Sequence, residues 1–279
     1  MRCISPIRLK NPAGKAGFLD VPCGYCGSCR HNRRIDWSFR LKVEFKSSLS
    51  AKFLTLTYSD ENIVKSSKGY PTLVKKDFQK FFKRLRKRES GNCKSNLRYY
   101  CVGEYGSRTC RPHYHLVLFN SVLKDDDYVN IWKLGHVDIG QVNDASIHYI
   151  TKYHVNYDKK KSEYLGIEPE FAVMSRKPGI GYQYVSRGTS DWNMNNGYLF
   201  INNNGYKQRM PRYFREKIFD KATLELLGEE MVAQSESRVS KEIERLSNLG
   251  YDDPYDELYR RTVASAEKVF DKGAKSDIL

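Results

Sequence analysis

The reading of the chain turns on Arg111-Pro112-His113-Tyr114-His115-Leu116-Val117-Leu118-Phe119. The apolar run after Pro112 predicts a strand over 113–119. Residues two apart on a strand share a face, so His113 and His115 project together while Tyr114 packs behind. Two neighbouring imidazoles make half of a divalent-metal site. An HxH pair by itself is a weak signal, because surface and core histidines give the same pattern. Just upstream, Gly103-Glu104-Tyr105-Gly106 closes a second predicted strand, Leu97–Gly103, and the loop carrying Gly106 and Pro112 makes a hairpin the simple connection. Glu104 then falls near the histidines. A carboxylate with two imidazoles gives three ligands and leaves positions open for a substrate. The competing reading of Glu104 is a turn carboxylate paired with Arg108 or Arg111.

Downstream, Asp144 is a candidate N-cap for a helix running to about Asn156. Within it, Tyr149-Ile150-Thr151-Lys152-Tyr153 sets two phenols at i and i+4, with Lys152 at i+3 on the same side. In isolation these are two core tyrosines and a surface lysine. One helix-plus-strand length after an HxH strand, they are candidate nucleophiles. A metal on His113, His115 and Glu104 polarises a phosphodiester, and a tyrosine oxygen attacks phosphorus. Free tyrosine ionises near ~10, so the positive charge of Lys152 is the candidate support for phenolate or phosphate.

Further out, Phe53–Tyr58 (FLTLTY) predicts a strand and Asp77–Arg88 an amphipathic helix, with Phe78, Phe81, Phe82 and Leu85 as its apolar stripe. Lys80, Lys83 and Arg84 belong to the cationic remainder of that helix. They read either as a solvated face or, with Arg111, as phosphate contacts. A further strand is expected over Val137–Val142. Residues 171–215 read as irregular, and from Arg215 onward the pattern is mainly helical with a break near Gly250–Pro254. The order β-α-β-β-β-α implies an α+β domain, helices against a mostly antiparallel sheet.

Charge narrows the partners. The chain has 279 residues, 48 Lys+Arg against 33 Asp+Glu and a net charge of +15. The charge is uneven: residues 216–279 carry 10 Lys/Arg against 15 Asp/Glu, so the first 215 residues hold the whole positive excess. A basic, aromatic-rich region attracts polyanions, nucleic acid before an anionic membrane surface. No stretch approaches the ~20 apolar residues of a membrane span, and the start lacks an apolar signal core; the cytoplasm is the expected location. Seven cysteines then argue for metal thiolates over disulfides. Cys23-x2-Cys26-x2-Cys29 is the stronger metal signal, with Cys3 the first choice and His31 the second for a fourth zinc ligand. An iron–sulfur cluster has similar spacing but lacks its usual fourth Cys and Pro; ordinary reduced thiols are the remaining alternative. Cys93, Cys101 and Cys110 show no metal spacing.

Taken together, VPCGYCGSCR, FLTLTY, FFKRLRK, GEYG, RPHYHLVLF, YITKY and MSRKPGIG, in this order over residues 21–181, resemble the replication initiators of microviruses, particularly the gokushovirus branch. Arg33, Trp37, Arg40 and Glu44 look like the family's helix after the cysteines. Residues 32–48, whose apolar alternation would also suit a strand, are therefore expected to be helical. The resemblance implies an HUH-endonuclease fold: a central antiparallel sheet flanked by helices, carrying a metal on His113, His115 and Glu104, with Mg²⁺ or Mn²⁺ expected. Tyr149 and Tyr153 inherit the nucleophile role and Lys152 the support role; FLTLTY, with Thr55, Thr57 and Tyr58, is implied to help bind DNA. The implied activity is nicking and rejoining of single-stranded phage DNA through a 5′-phosphotyrosine during rolling-circle replication, in the bacterial host cytoplasm. No GxxxxGK[ST] is present, so a host helicase and polymerase are the implied partners. The expected segments are a cysteine-rich 1–31, a nickase domain 32–214 and a helical tail 215–279 that matches nothing in the family pattern. The alternatives are a non-enzymatic, zinc-containing single-stranded nucleic-acid binder and a plasmid or transposon HUH enzyme.

Overall fold

The computed structural model describes residues 3–10, 17–90, 96–106, 108–153, 159–203 and 205–275; the side chains of residues 153, 159–161 and 269–275 lie outside the description. The elements in chain order are β1 (Ile7–Lys10), β2 (Phe18–Val21), α1 (Gly27–Ser47), β3 (Ala51–Tyr58), α2 (Lys75–Glu89), β4 (Arg98–Tyr105), β5 (Pro112–Phe119), α3 (Asp125–Trp132), β6 (Gly135–Gln141), α4 (Asp144–Tyr153), α5 (Lys159–Leu165), β7 (Phe171–Met174), α6 (Arg187–Asn196), β8 (Phe200–Asn203), β9 (Tyr206–Arg209), α7 (Arg212–Ile218), α8 (Lys221–Asn248) and α9 (Pro254–Lys275). They group into two compact units, Trp37–Tyr184 and Met1–Asp36 with Val185–Leu279. These limits differ from the segment boundaries at 31/32 and 214/215 expected from sequence: α1 runs unbroken through the first boundary, and residues 185–214 group with the helical tail.

Unit Trp37–Tyr184 is built on a five-stranded antiparallel sheet in the order β6-β3-β5-β4-β7. The sheet is α+β in the sense the sequence implied, with helices on both faces. Strand alternation divides its side chains. Leu54, Leu56, Tyr58, Tyr114, Leu116 and Leu118 point to one face and are covered by Phe78, Phe81, Phe82 and Leu85 of α2 and by Tyr128, Ile131 and Trp132 of α3. Tyr100, Val102, Val117 and Phe119 point to the other, under Leu41 of α1 and Ile147 and Ile150 of α4. β5 is buried on both faces, as a central strand must be.

Several local readings are corrected. The N-cap of α4 is supplied by Asn143, whose side-chain oxygen accepts from the Ser146 backbone N–H, not by Asp144. Helix α3 was not foreseen; three aspartates in its first turn favour the positive end of the helix dipole. Residues 171–215 hold β7, α6, the β8-β9 hairpin and α7 rather than irregular chain. Near the N-terminus β1 and β2 form a two-stranded hairpin.

A buried ion pair secures the segment after β7. Glu44 of α1 and Arg98 of β4, both buried, form a bidentate pair. Arg98 also donates to the carbonyls of Pro178 (2.9 Å) and Gly179 (3.0 Å), while Glu44 Oε2 accepts from the Gly181 N–H at 2.7 Å. Arg40 Nε donates to the Ile180 carbonyl at 3.0 Å. Gly181 sits at φ +75°, and a Cβ there would lie 2.7 Å from the Arg40 carbonyl oxygen, so only glycine fits. Removing one partner leaves a buried charge unmet. We expect Glu44→Ala to cost about 3–5 kcal/mol in urea unfolding; a loss under ~1 kcal/mol, the level of a surface pair, would contradict this role.

Candidate metal and tyrosine centre

The antiparallel register sets Glu104 of β4 directly opposite His113 of β5, and His115 opposite Thr55 of β3. All three candidate ligands lie on the α4 face of the sheet. Glu104 Oε1 is 2.7 Å from His113 Nε2 and 2.9 Å from His115 Nε2. The Nδ1–H of His113 donates to the Arg111 carbonyl at 3.0 Å, which leaves Nε2 of the neutral ring as a lone pair. His115 Nδ1 lies 3.1 Å from Thr55 Oγ1, which turns its Nε2 inward in the same way. With both rings neutral and protonated on Nδ1, three acceptor atoms meet at one point, an arrangement that calls for a proton or a cation between them. Glu104 Oε2 is buried with no hydrogen-bond partner, a second carboxylate oxygen available to an ion. Glu104, His113 and His115 thus fit a divalent cation as an O,N,N set.

Tyr149 of α4 comes to the same place. Its hydroxyl is 3.3 Å from His115 Nε2, and its half-exposed ring stands edge-on to the His115 ring at 5.0 Å. Phe53 packs beside both rings. Lys152 follows on α4, half-buried. Tyr153 ends α4, but its side chain lies outside the described residues.

The residues expected to contact DNA are distributed otherwise. Thr55 is a partner of His115, a role missed in the sequence although the β3–β5 register carries it. Thr57 is opposite His113. Tyr58 is fully buried, its hydroxyl 2.7 Å from that of Tyr114 and 3.1 Å from Asp77, so it cannot reach a nucleic acid. The Arg84 guanidinium donates to the carbonyls of Ile131 (2.9 Å) and Trp132 (3.2 Å), tying α2 to α3 instead of meeting phosphate. Arg111 donates to the Tyr58 carbonyl and is paired with Asp60. Lys80 and Lys83 are exposed, but α2 covers the opposite face of the sheet from His113 and His115, so this ridge does not flank the centre.

The cysteines form a second cluster, in the unit Met1–Asp36 with Val185–Leu279. Cys3 Sγ is 3.6 Å from Cys23 Sγ and 3.7 Å from Cys26 Sγ, and the four sulfurs with Cys29 lie within 4.8 Å of one another. A disulfide needs ~2.05 Å. A tetrahedron with metal–sulfur bonds of ~2.3 Å has edges of roughly 3.8 Å, which these separations match. Cys3 is thus the fourth member, and His31 is not. Burial works to raise Cys26, but backbone hydrogen bonds from Cys29 and Ile4, with those of Cys29 and Cys23 side chains, hold it down at about 6; burial pushes Cys29 up to about 12. A shared cation would hold all four as thiolates, Cys29 included. Cys101 is buried and Cys110 exposed; Cys93 lies outside the described residues.

Burial pushes the His113 pKa down, but its hydrogen bond to Glu104 and the carboxylate charge outweigh burial, and the net shift is upward. A raised folded pKa means the protonated ring stabilises the metal-free fold fully below ~6.5 and loses that contribution as pH rises through the folded value. The same proton competes with a cation. In metal-free protein, the His113 ring titration followed by NMR should lie above that of free histidine and fall in Glu104→Gln, where only the Arg111 carbonyl and the Glu170 charge still oppose burial. An unchanged titration in the variant would contradict the pairing.

The family model for the replication-associated protein ORF2 family matches residues 51–159, the span from β3 through α4 that carries all three candidate ligands and Tyr149. The chain is similar to the replication-associated protein ORF2 of Spiroplasma virus 4, at 30% identity over 217 residues, 71% of this chain and 67% of that protein. It is similar also to the replication-associated protein VP4 of Bdellovibrio phage phiMH2K, at 28% over 77% of this chain and 76% of that protein. To the replication-associated protein ORF4 of Chlamydia phage 1 it is 23% identical over 70% of this chain and 53% of that one. No solved structure matches. On this likeness, and on a match that falls across the sheet and its histidine pair, the chain belongs to the phage replication-associated proteins and is a microvirus-like replication initiator.

Proposed function

We propose that this initiator is an HUH-type, metal-dependent nickase that opens and reseals single-stranded phage DNA through tyrosine. The observation that carries the reading is the 3.3 Å approach of the Tyr149 hydroxyl to His115 Nε2, beside a three-acceptor cluster. A divalent ion held by Glu104, His113 and His115 supplies Lewis-acid polarisation of the scissile phosphate when bound. Mg²⁺ and Mn²⁺ both suit the carboxylate, and the two imidazoles favour Mn²⁺.

The chain's own residues do the rest. Tyr149 loses its proton, and its oxygen attacks phosphorus as the P–O3′ bond breaks. The electron pair and a proton go to the departing 3′-hydroxyl, leaving a 5′-phosphotyrosine. Lys152, one turn along α4, offsets the developing negative charge. One phosphodiester is exchanged for another, so a 3′-hydroxyl reverses the step without ATP. Tyr153 is the second nucleophile for closing the circle while Tyr149 is occupied. Thr55 acts here as a positioning residue for His115, and Thr57 and Arg111 remain candidate phosphate contacts. Cys3, Cys23, Cys26 and Cys29 hold a structural zinc. The reaction belongs in the host cytoplasm, with the host's helicase and polymerase extending the freed 3′ end; no helix among the described residues is long and apolar enough to cross a membrane.

Incubation of the protein with Mn²⁺ and circular single-stranded phage DNA should give a protease-sensitive covalent adduct. Tyr149→Phe should lower its initial rate at least ~100-fold, the scale of losing a nucleophile. No adduct with the unaltered protein would leave a zinc-containing single-strand binder as the reading.

A further inference from the structure

At the far end of β4 from Glu104, an open groove of about 1280 Å³ runs between α2 and the edge strand β7. Six residues separate Arg98 from Glu104 along the strand, so the groove lies roughly 20 Å from the metal and tyrosine centre, and on the sheet's other face. Lys75 and Arg86 come from α2, Arg176 and Lys177 from the segment after β7, and Tyr99 forms the floor between them. All four cations are exposed, and among the described residues none makes a salt bridge. Burial raises the Tyr99 pKa, while the charges of Arg86 and Arg176, which line the same groove, both act to lower it. The carboxylate at the rim, Glu89, is spent elsewhere, accepting from the Ser121 hydroxyl and the Val122 N–H. The groove therefore presents uncompensated positive charge.

Its cations are held rather than loosely displayed. Ser175 is tied to Tyr99 by two hydrogen bonds, N–H to carbonyl at 3.0 Å and Tyr99 N–H to the Ser175 hydroxyl at 3.1 Å. Just beyond, the buried Glu44–Arg98 pair grips the backbone of residues 178, 179 and 181. Arg176 and Lys177 are the exposed residues between these two anchors. A buried ion pair is a costly way to fix a surface loop, and its effect is to fix the backbone that carries these two exposed side chains. Lys75 and Arg86 lie three helical turns apart on one side of α2, about 16 Å along its axis, a spacing suited to an extended polyanion. The volume exceeds the ~300–1,000 Å³ usual for small molecules, and apolar enclosure is lacking.

We infer that this groove is a second DNA track that takes the phosphodiester backbone outside the scissile stretch. The inference rests on the reading of the chain as a protein that handles DNA, but not on Tyr149 being the nucleophile. Its test uses the full chain carrying Tyr149→Phe with Tyr153→Phe, so that no covalent link through either phenol enters the measurement. Anisotropy of labelled 30-nucleotide single strands and 30-base-pair duplexes is followed from ~50 to ~200 mM salt, the range over which phosphate contacts separate. Arg176→Ala with Lys177→Ala should reduce the slope of log K against log salt by about 1.4 on the single strand or about 1.8 on the duplex, and the DNA whose slope falls by its full expected amount is the form bound. Arg187→Ala with Lys221→Ala is the charge-matched control, both side chains being over 90% exposed and outside the groove. An unchanged slope on both DNAs would overturn the inference and leave the groove to an acidic protein segment. So would an equal fall in the control, which would make the effect one of net charge. Failure of the nickase reading shows separately, as absence of adduct with unaltered Tyr149.

Discussion

Glu104 Oε1 and the Nε2 atoms of His113 and His115 are aimed at a single point, and with both rings protonated on Nδ1 these three acceptors share it only with a proton or a cation among them. That constraint is written into the pairing of three strands. β4 brings the carboxylate opposite His113, β3 brings Thr55 opposite His115, and the Arg111 carbonyl fixes the remaining ring nitrogen. Each imidazole is held by its second nitrogen, so the cluster is set before any ligand arrives. Tyr149 then needs only the packing of α4 against the same face.

Alternation does the sorting. Odd residues of β5 carry chemistry at one end and apolar packing at the other, while Tyr114, Leu116 and Leu118 fill the opposite core. A slip of one residue would bury both imidazoles under α2 and turn Tyr114 toward Tyr149. The aromatic core guards against such a slip: Tyr114 and Tyr58 share a hydrogen bond, and Tyr114 also bonds both backbone groups of Val74 at the start of α2. Residues that look like bystanders in a motif are thus what holds the register.

Much of this was legible from the chain. The HxH strand and Glu104 at the end of its partner follow from spacing, because the strand period fixes which side chains share a face; Tyr149 drew its weight from following that strand and from the family resemblance, and Cys3 was a choice of fourth thiolate over His31. What was not legible depended on the opposite side of the same elements. The apolar stripe of α2 says that it packs, not on which face of the sheet, so its lysines were set beside the centre when they lie behind it. Tyr58 and Arg84 read as surface residues because nothing in a sequence announces the Tyr114 hydroxyl or the carbonyls of α3. β7 and the segment after it gave no periodic signal, since β7 takes its order from pairing with β4, and residues 178–181 take theirs from a buried ion pair whose halves are 54 residues apart.

The proposed chemistry requires one cation among these three side chains, within reach of a phenol oxygen. Anomalous scattering from crystals soaked in Mn²⁺ locates it directly. The structure predicts a single strong peak about 2.0–2.3 Å from Glu104, His113 and His115, on the side of His115 that faces Tyr149. An ion bound elsewhere, with the Glu104–histidine contacts unchanged, would contradict it.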